Sequence, residues 1–299
     1  MHGWIVIDKP VGPGSTQIVG AVKCALREGF YPRVKVGHGG TLDPLASGVL
    51  PVALGEATKL TGRMLGADKA YDFTIAFGAE TDTLDLEGQV VATSDRLPTL
   101  AGIEAILPRF TGGIDQIPPA YSALKIHGKP AYARARAGED VEMKPRRVTV
   151  HALFVRHSRF RGNDGVADIT LSARVSKGTY IRALARDIAR ALDCAGHVTM
   201  LRRTKAGPFS LEQAISLDKL GEAAKGRTLE QCLLPLTAGL DDIPALPVTP
   251  DQAGALRQGR VLIGIAAQPG TYLATDNHVP VALVELGEGE LRVLRGFNL

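Results

Sequence analysis

Cysteine is scarce, with Cys24, Cys194 and Cys232 scattered along 299 residues. An odd, widely spaced set builds neither a disulfide framework nor a paired-cysteine zinc knuckle. No run approaches the roughly 20 apolar residues of a membrane-spanning helix. The opening MHGWIVIDKP lacks the basic segment and apolar stretch of a secretion signal. Also missing are a P-loop, a dinucleotide fingerprint after a strand, a zinc-hydrolase HExxH and a nucleophile elbow. Together these absences predict a reduced, cytoplasmic enzyme, without membrane attachment, whose chemistry rests on side chains alone.

What is present describes a globular chain. Hydrophobic residues make up 45% and charged residues 22%, enough for a real core, and the length suits one large domain with a small one. Net charge is only +4, but its distribution is uneven. Met143 to Asn163 holds six Lys or Arg and no acid, and Arg174 to Lys205 holds eight against Asp187 and Asp193. Glu80 to Asp95 holds five acids and no base. A basic middle with a separate acidic segment is compatible with a one-sided surface for a polyanion and with an ordinary solvated face.

Residues 4–8 (WIVID) read as a buried strand, and Ser15 as the N-cap of a helix carrying Ile18, Val22 and Leu26 on one side. The glycine-rich stretch 36–48 predicts an ordered loop, Ser47 to Leu54 a return to the sheet, Tyr71 to Phe77 a strand and Thr99 to Phe110 a helix. Val148 to Val155 and Ala167 to Val175 read as strands joined by a polar loop, Arg156 to Gly165. The clearest helix is Gly178 to Ala195, where Ile181, Leu184, Ala185, Ile188 and Leu192 make one apolar stripe. A linker at Leu240 to Val248 precedes a tail of short strands with glycine turns. Irregular mixing of strands and helices predicts an α+β fold with a mixed, largely antiparallel sheet (residues 1–243) and a small β-rich module (244–299).

Two segments stand out as candidate chemistry. In Gly37-His-Gly-Gly-Thr-Leu-Asp-Pro44, three glycines before Asp43 and a proline after it specify an irregular loop that fixes one carboxylate. An Asp-Pro step also serves as a plain Asx turn, so the loop alone leaves both uses open. In Ser176-Lys-Gly-Thr-Tyr-Ile-Arg182, Tyr180 and Arg182 fall in the first turn of the amphipathic helix. An arginine there can clamp a carboxylate or simply face solvent.

The block GHGGTLDPLASGVLPVALGEATKL resembles the signature of the TruB-type tRNA pseudouridine synthase family. Its flanks agree in order: GWIVIDKPVG, KAYDFTIAFGAETDTLDLEG, QIPPAYSALKIHGKPAYARARAG, VSKGTYIRALARDIA and MLRRTKAGPF, spanning roughly residues 3 to 220. The tail resembles a PUA-like RNA-binding module more weakly. The resemblance implies isomerisation of a T-loop uridine of tRNA, at position 55, with no cofactor, no metal and no obligate protein partner, by a chain sufficient as a monomer. It implies that Asp43 is the catalytic aspartate, that Tyr71 stacks on the target base and that Arg182 pairs with Asp43. It further implies that His38 holds the rearranged T-loop, that Tyr180 and Leu201 line the uridine pocket, and that Lys59 lies near the site. Gly14 departs from the family's usual threonine, and Arg156 to Gly165 is longer than its pattern. A non-catalytic RNA-binding protein, an RNA-guided relative and a small-molecule hydrolase are the rival readings.

Overall fold

The computed structural model describes residues 1–126, 128–139, 141–161 and 165–299. Among the described residues the main sheet has ten strands: β1 (Gly3–Lys9), β2 (Val36–His38), β3 (Ala46–Leu54), β4 (Lys69–Phe77), β5 (Gly112–Gln116), β6 (Arg146–Arg161), β7 (Gly165–Val175), β8 (Gly196–Ala206), β9 (Phe209–Ser210) and β10 (Leu234–Pro235). Their order is β10-β1-β3-β8-β4-β7-β6-β5, with β2 on β3 and β9 on β8. Every pairing is antiparallel except β3 with β8, where Ala46, Ser47 and Gly48 run beside Leu201, Arg202 and Arg203. The expected α+β class with a mixed, largely antiparallel sheet is therefore the class observed.

The continuous apolar run of β1 has a direct cause: the strand is covered on both faces. Ile5 and Ile7 pack with Ile18, Val22 and Leu26 of α1 (Ser15–Glu28). On the other side Trp4 and Val6 belong to a cluster that runs through Phe209 and Leu236 to Leu273, Leu283 and Phe297 of the tail. A third cluster joins Phe73, Ile75, Leu171 and Val175 to Ile181, Leu184, Ala185 and Ile188 of α2 (Ile181–Ala191), the predicted apolar stripe. The tail forms a second sheet from β11 (Ala245–Pro247), β12 (Leu262–Ile263), β13 (Gly270–Asp276), β14 (Val279–Gly287) and β15 (Glu290–Gly296), in the order β11-β13-β14-β15-β12. It also carries α3 (Pro250–Arg257), capped by Thr249.

Several local expectations are corrected. Gly14, not Ser15, occupies the N-cap of α1, and the Gln17 side chain accepts from its N–H at 2.7 Å. The Ser15 hydroxyl is turned instead to the backbone of Leu42. Within 36–48, β2 and the start of β3 leave only 39–45 irregular. The helix from Thr99 stops at Ile106 and tightens to a 3-10 turn through Pro108. Residues 156–161 continue β6 rather than forming a loop, with register shifts that disturb the alternation; the rest of that predicted loop, 162–164, lies outside the described residues. Part of the expected linker, Ala245–Pro247, is a strand parallel to β13. The helix read as Gly178 to Ala195 is shorter, with Tyr180 as its N-cap.

Candidate active site

The parallel junction of β3 and β8 locates the site. Residues 39–45 cross from β2 into β3 at the level where β8 presents Leu201 and β4 presents Tyr71. At Gly48 the backbone has φ +101°, and an added Cβ would stand 2.1 Å from the Arg203 carbonyl oxygen. Only glycine allows this approach.

Buried groups hold the loop from beneath. Lys9 is fully buried and donates to the carbonyls of Pro44 (3.2 Å) and Ala46 (2.6 Å). Burial lowers its pKa to about 8, against the opposing pull of the nearby Asp43 charge. Arg203, 1% exposed, donates from Nε to the Val49 carbonyl at 2.8 Å and from Nη1 to that of Thr41 at 3.2 Å. Ser15 fastens Leu42 to the start of α1, accepting from its N–H at 2.8 Å.

Asp43 emerges from this frame with its side chain 45% exposed, whereas its partner Arg182 is 8% exposed. The Arg182 Nη2 to Asp43 Oδ2 distance is 2.8 Å. The same guanidinium meets Asp85 through Nη1 at 3.2 Å and donates to the carbonyls of Thr83 (2.7 Å) and Tyr121 (3.0 Å). Asp85 in turn accepts from the Thr83 hydroxyl at 2.6 Å and the Glu87 N–H at 3.0 Å. Arg182 is thus locked in one orientation by groups on three segments, and Asp43 is the accessible end of the network. Ahead of α2, Gln116 clamps Tyr180 by accepting from its N–H (2.8 Å) and donating to its carbonyl (3.1 Å).

The two larger of the cavities at this point both have Asp43 and Arg182 in their walls. One, of about 320 Å³, is lined by Tyr71, Tyr180, Leu201, Lys69 and Arg203. Burial raises the pKa of the Tyr180 phenol and, with the Arg203 charge, lowers that of Lys69 to about 8. The other, of about 630 Å³, is lined by His38, Gln17, Asp82, Tyr121, Tyr132 and Arg136. Burial lowers the His38 pKa, and its Nδ1 is buried with no hydrogen-bond partner among the described residues.

Six of the seven residues singled out in the sequence therefore border the Asp43 cavities: Asp43, Tyr71, Arg182, Tyr180 and Leu201 the smaller, His38 the larger. Lys59 does not. It pairs with Glu56 at 2.6 Å and donates to the Gly296 carbonyl at 2.9 Å, at the seam with the second sheet. Asp85, Lys9, Arg203 and Gln116 were not singled out, because each acts through a partner distant in sequence. Two of the five acids of the acidic segment are drawn into the basic one: Asp85 meets Arg182, and Glu80 meets Arg190 at 2.6 Å.

Residues 27–181 match the family model described as the TruB family pseudouridylate synthase N-terminal domain, and residues 182–241 match the tRNA pseudouridylate synthase B C-terminal domain. The chain belongs to the TruB family. Among its TruB relatives, tRNA pseudouridine synthase B of Novosphingobium aromaticivorans is 62% identical over all of this chain and 98% of its own length. Its counterpart in Zymomonas mobilis is 61% identical over all of this chain and 96% of its own. In fold, the chain superposes with a TM-score of 0.73 on a chain of an H/ACA ribonucleoprotein bound to a substrate RNA containing 2'-deoxyuridine, at 24% identity, covering 99% of this chain and 85% of that one. Among the described residues no helix is long and apolar enough to cross a membrane.

Proposed function

We propose that the protein isomerises uridine to pseudouridine in tRNA, acting in the cytoplasm on the T-loop uridine at position 55, with Asp43 as the catalytic carboxylate. The observation that carries this reading is the Asp43 carboxylate, half exposed and 2.8 Å from a buried guanidinium, in the wall of a cavity lined by Tyr71, Tyr180 and Leu201. The reaction breaks the N1–C1′ bond, turns the uracil and joins C5 to C1′; the proton lost from C5 balances the one gained at N1. Attack on the base and action at the sugar both need a carboxylate held at one place beside the nucleoside.

The target base must leave its stack, at a cost of a few kcal/mol. Stacking on Tyr71 returns part of it, base–aromatic contacts being worth about 1–3 kcal/mol. His38, in the wall of the larger cavity with its pKa lowered by burial, is suited to pack against the bases flanking the extruded one. The non-catalytic RNA-binding reading gives no reason for a buried guanidinium shared between Asp43 and Asp85, which is costly to bury. The test is pseudouridine mapping on unmodified tRNA with the wild-type protein and with Asp43→Asn, without added cofactor or metal. Modification of one T-loop uridine by wild type alone is the expected result. Turnover by Asp43→Asn would remove Asp43 from the mechanism, and inactivity of both with tight tRNA binding would favour the RNA-binding reading.

A further inference from the structure

Much of the basic charge that the sequence offers for phosphate contact is engaged internally. Arg147, Arg159, Arg182, Arg186, Arg190 and Arg202 all form ion pairs with Asp or Glu, and Arg203 is buried. A different cationic cluster is not. The second half of α1 and the segment that follows it enclose a groove of about 890 Å³ lined by Lys23, Arg27, Phe30, Arg33 and Lys35, with no acid in its wall. None of these four cations has an ion-pair partner among the described residues.

Phe30 gives the groove its second feature. The ring is 80% exposed, on a backbone with φ +57°, a conformation in which a bulky side chain is uncommon. The Arg227 guanidinium lies over one face of the ring, 4.9 Å from its centroid, adding a further charge and leaving the other face for a base. The neighbouring Tyr31 is anchored, its hydroxyl donating to Glu230 at 2.8 Å and accepting from the Leu229 N–H at 3.0 Å, so the exposed ring stands on a fixed base.

The groove also lies next to the active site. β2 joins them: Val36 lines the groove and His38 lines the larger Asp43 cavity, about 7 Å apart along an extended strand. Along α1, Gln17 borders that cavity and Lys23 the groove, about 9 Å apart at the helical rise.

We propose that this groove is a second RNA-binding site, which takes a segment of the substrate near the extruded uridine, with its phosphates on Lys23, Arg27, Arg33 and Lys35 and a base stacked on Phe30. An exposed aromatic ring set among unpaired cations is the arrangement that suits an unstacked strand. The inference rests on tRNA being the substrate.

The test compares wild type, Arg33→Ala/Lys35→Ala, Phe30→Ala and Phe30→Tyr in binding unmodified full-length tRNA across a salt series. For the double variant, the expected result is weaker binding and a slope of log affinity against log salt reduced by about 1.4 to 1.8, as for two lost phosphate contacts. Phe30→Ala is expected to weaken binding about 5-fold or more, and Phe30→Tyr, which keeps the ring, to restore it. The side chains at all three positions lie on the groove wall rather than in the core, and thermal melting checks that the variants are folded. Wild-type affinity and slope in the double variant, or wild-type affinity in Phe30→Ala, would overturn the proposal and leave the groove to a protein partner. Pseudouridine formation by wild type reports separately on the function itself. Turnover with unaltered variant binding sinks the groove alone, whereas absent turnover sinks the functional reading while the binding series still decides the groove.

Discussion

Asp43 and Asp85 flank the same guanidinium, yet the structure predicts opposite consequences for removing them. The Asp43 side chain is 45% exposed and that of Asp85 10%. Replacing Asp85 with Ala breaks a buried pair and leaves the Thr83 hydroxyl and Glu87 N–H without their acceptor. Breaking a buried pair by removing one partner costs about 3–5 kcal/mol, and the orphaned donors add to that end of the range. Arg182, no longer held from its second side, then loses its alignment on Asp43, and a fall in turnover of about 100-fold follows if one preorganised electrostatic contact is worth about 2.7 kcal/mol. Asp43→Asn, by contrast, removes a half-exposed charge whose solvent screening limits its contribution to about 1 kcal/mol or less, while abolishing turnover. Urea unfolding supplies the stabilities, and release of tritium from uridine labelled at C5 in tRNA supplies the rates. An Asp85→Ala protein with wild-type unfolding midpoint and wild-type rate would refute the shared-clamp account. So would an Asp43→Asn protein destabilised as much as Asp85→Ala.

Gly48→Ala sets a Cβ 2.1 Å from the Arg203 carbonyl at φ +101° and is expected to cost more than about 3 kcal/mol or to prevent folding, read from urea unfolding of the expressed protein. His38 has its pKa lowered by burial, so the unfolded chain binds its proton more readily than the folded one. Stability is therefore expected to fall as pH drops below the ordinary histidine value of about 6.5, and His38→Gln to flatten that fall. A histidine resonance titrating at or above 6.5 and assigned to His38 would contradict this. Lys59→Glu places a second carboxylate beside Glu56 and the Gly296 carbonyl. The expected outcome is a looser seam, seen as faster proteolysis of the segment after Leu240 and weaker tRNA binding.

The sequence was readable where one element obeys one period. The stripe of α2 and the alternation of β4 came through because each faces a single environment along its length. β6 was cut short at Val155 because register shifts against β7 break the two-residue alternation and the outer part of the strand turns polar. α3 escaped notice because its apolar face is narrow, although Thr249, Pro250 and Gln252 are the capping signal that could have disclosed it. The Asp43–Arg182 pair was legible through resemblance, since nothing local links a loop to a helix so far along the chain. Asp85 was hidden within a run of acids that looks like solvated surface until Arg182 is seen beside it. Lys59 sits at the seam with the second sheet because its side chain is held by Glu56 and the Gly296 carbonyl, partners that its own surroundings in sequence reveal only in part.

The double-sided burial of β1 has a consequence for how the chain reaches its final form. Trp4 packs on Phe209, with ring centroids 5.2 Å apart, and donates to the Leu236 carbonyl, and its cluster reaches on to Leu273, Leu283 and Phe297 of the second sheet. During synthesis Ile5 and Ile7 can meet α1 early, while the tryptophan face waits for Phe209 and Leu236 and its cluster is completed only with the second sheet. Closing that loop last gives the fold a long-range contact of high entropic cost. The second sheet thus completes the Trp4 cluster last, and a chain released without it would leave that part of the cluster uncovered.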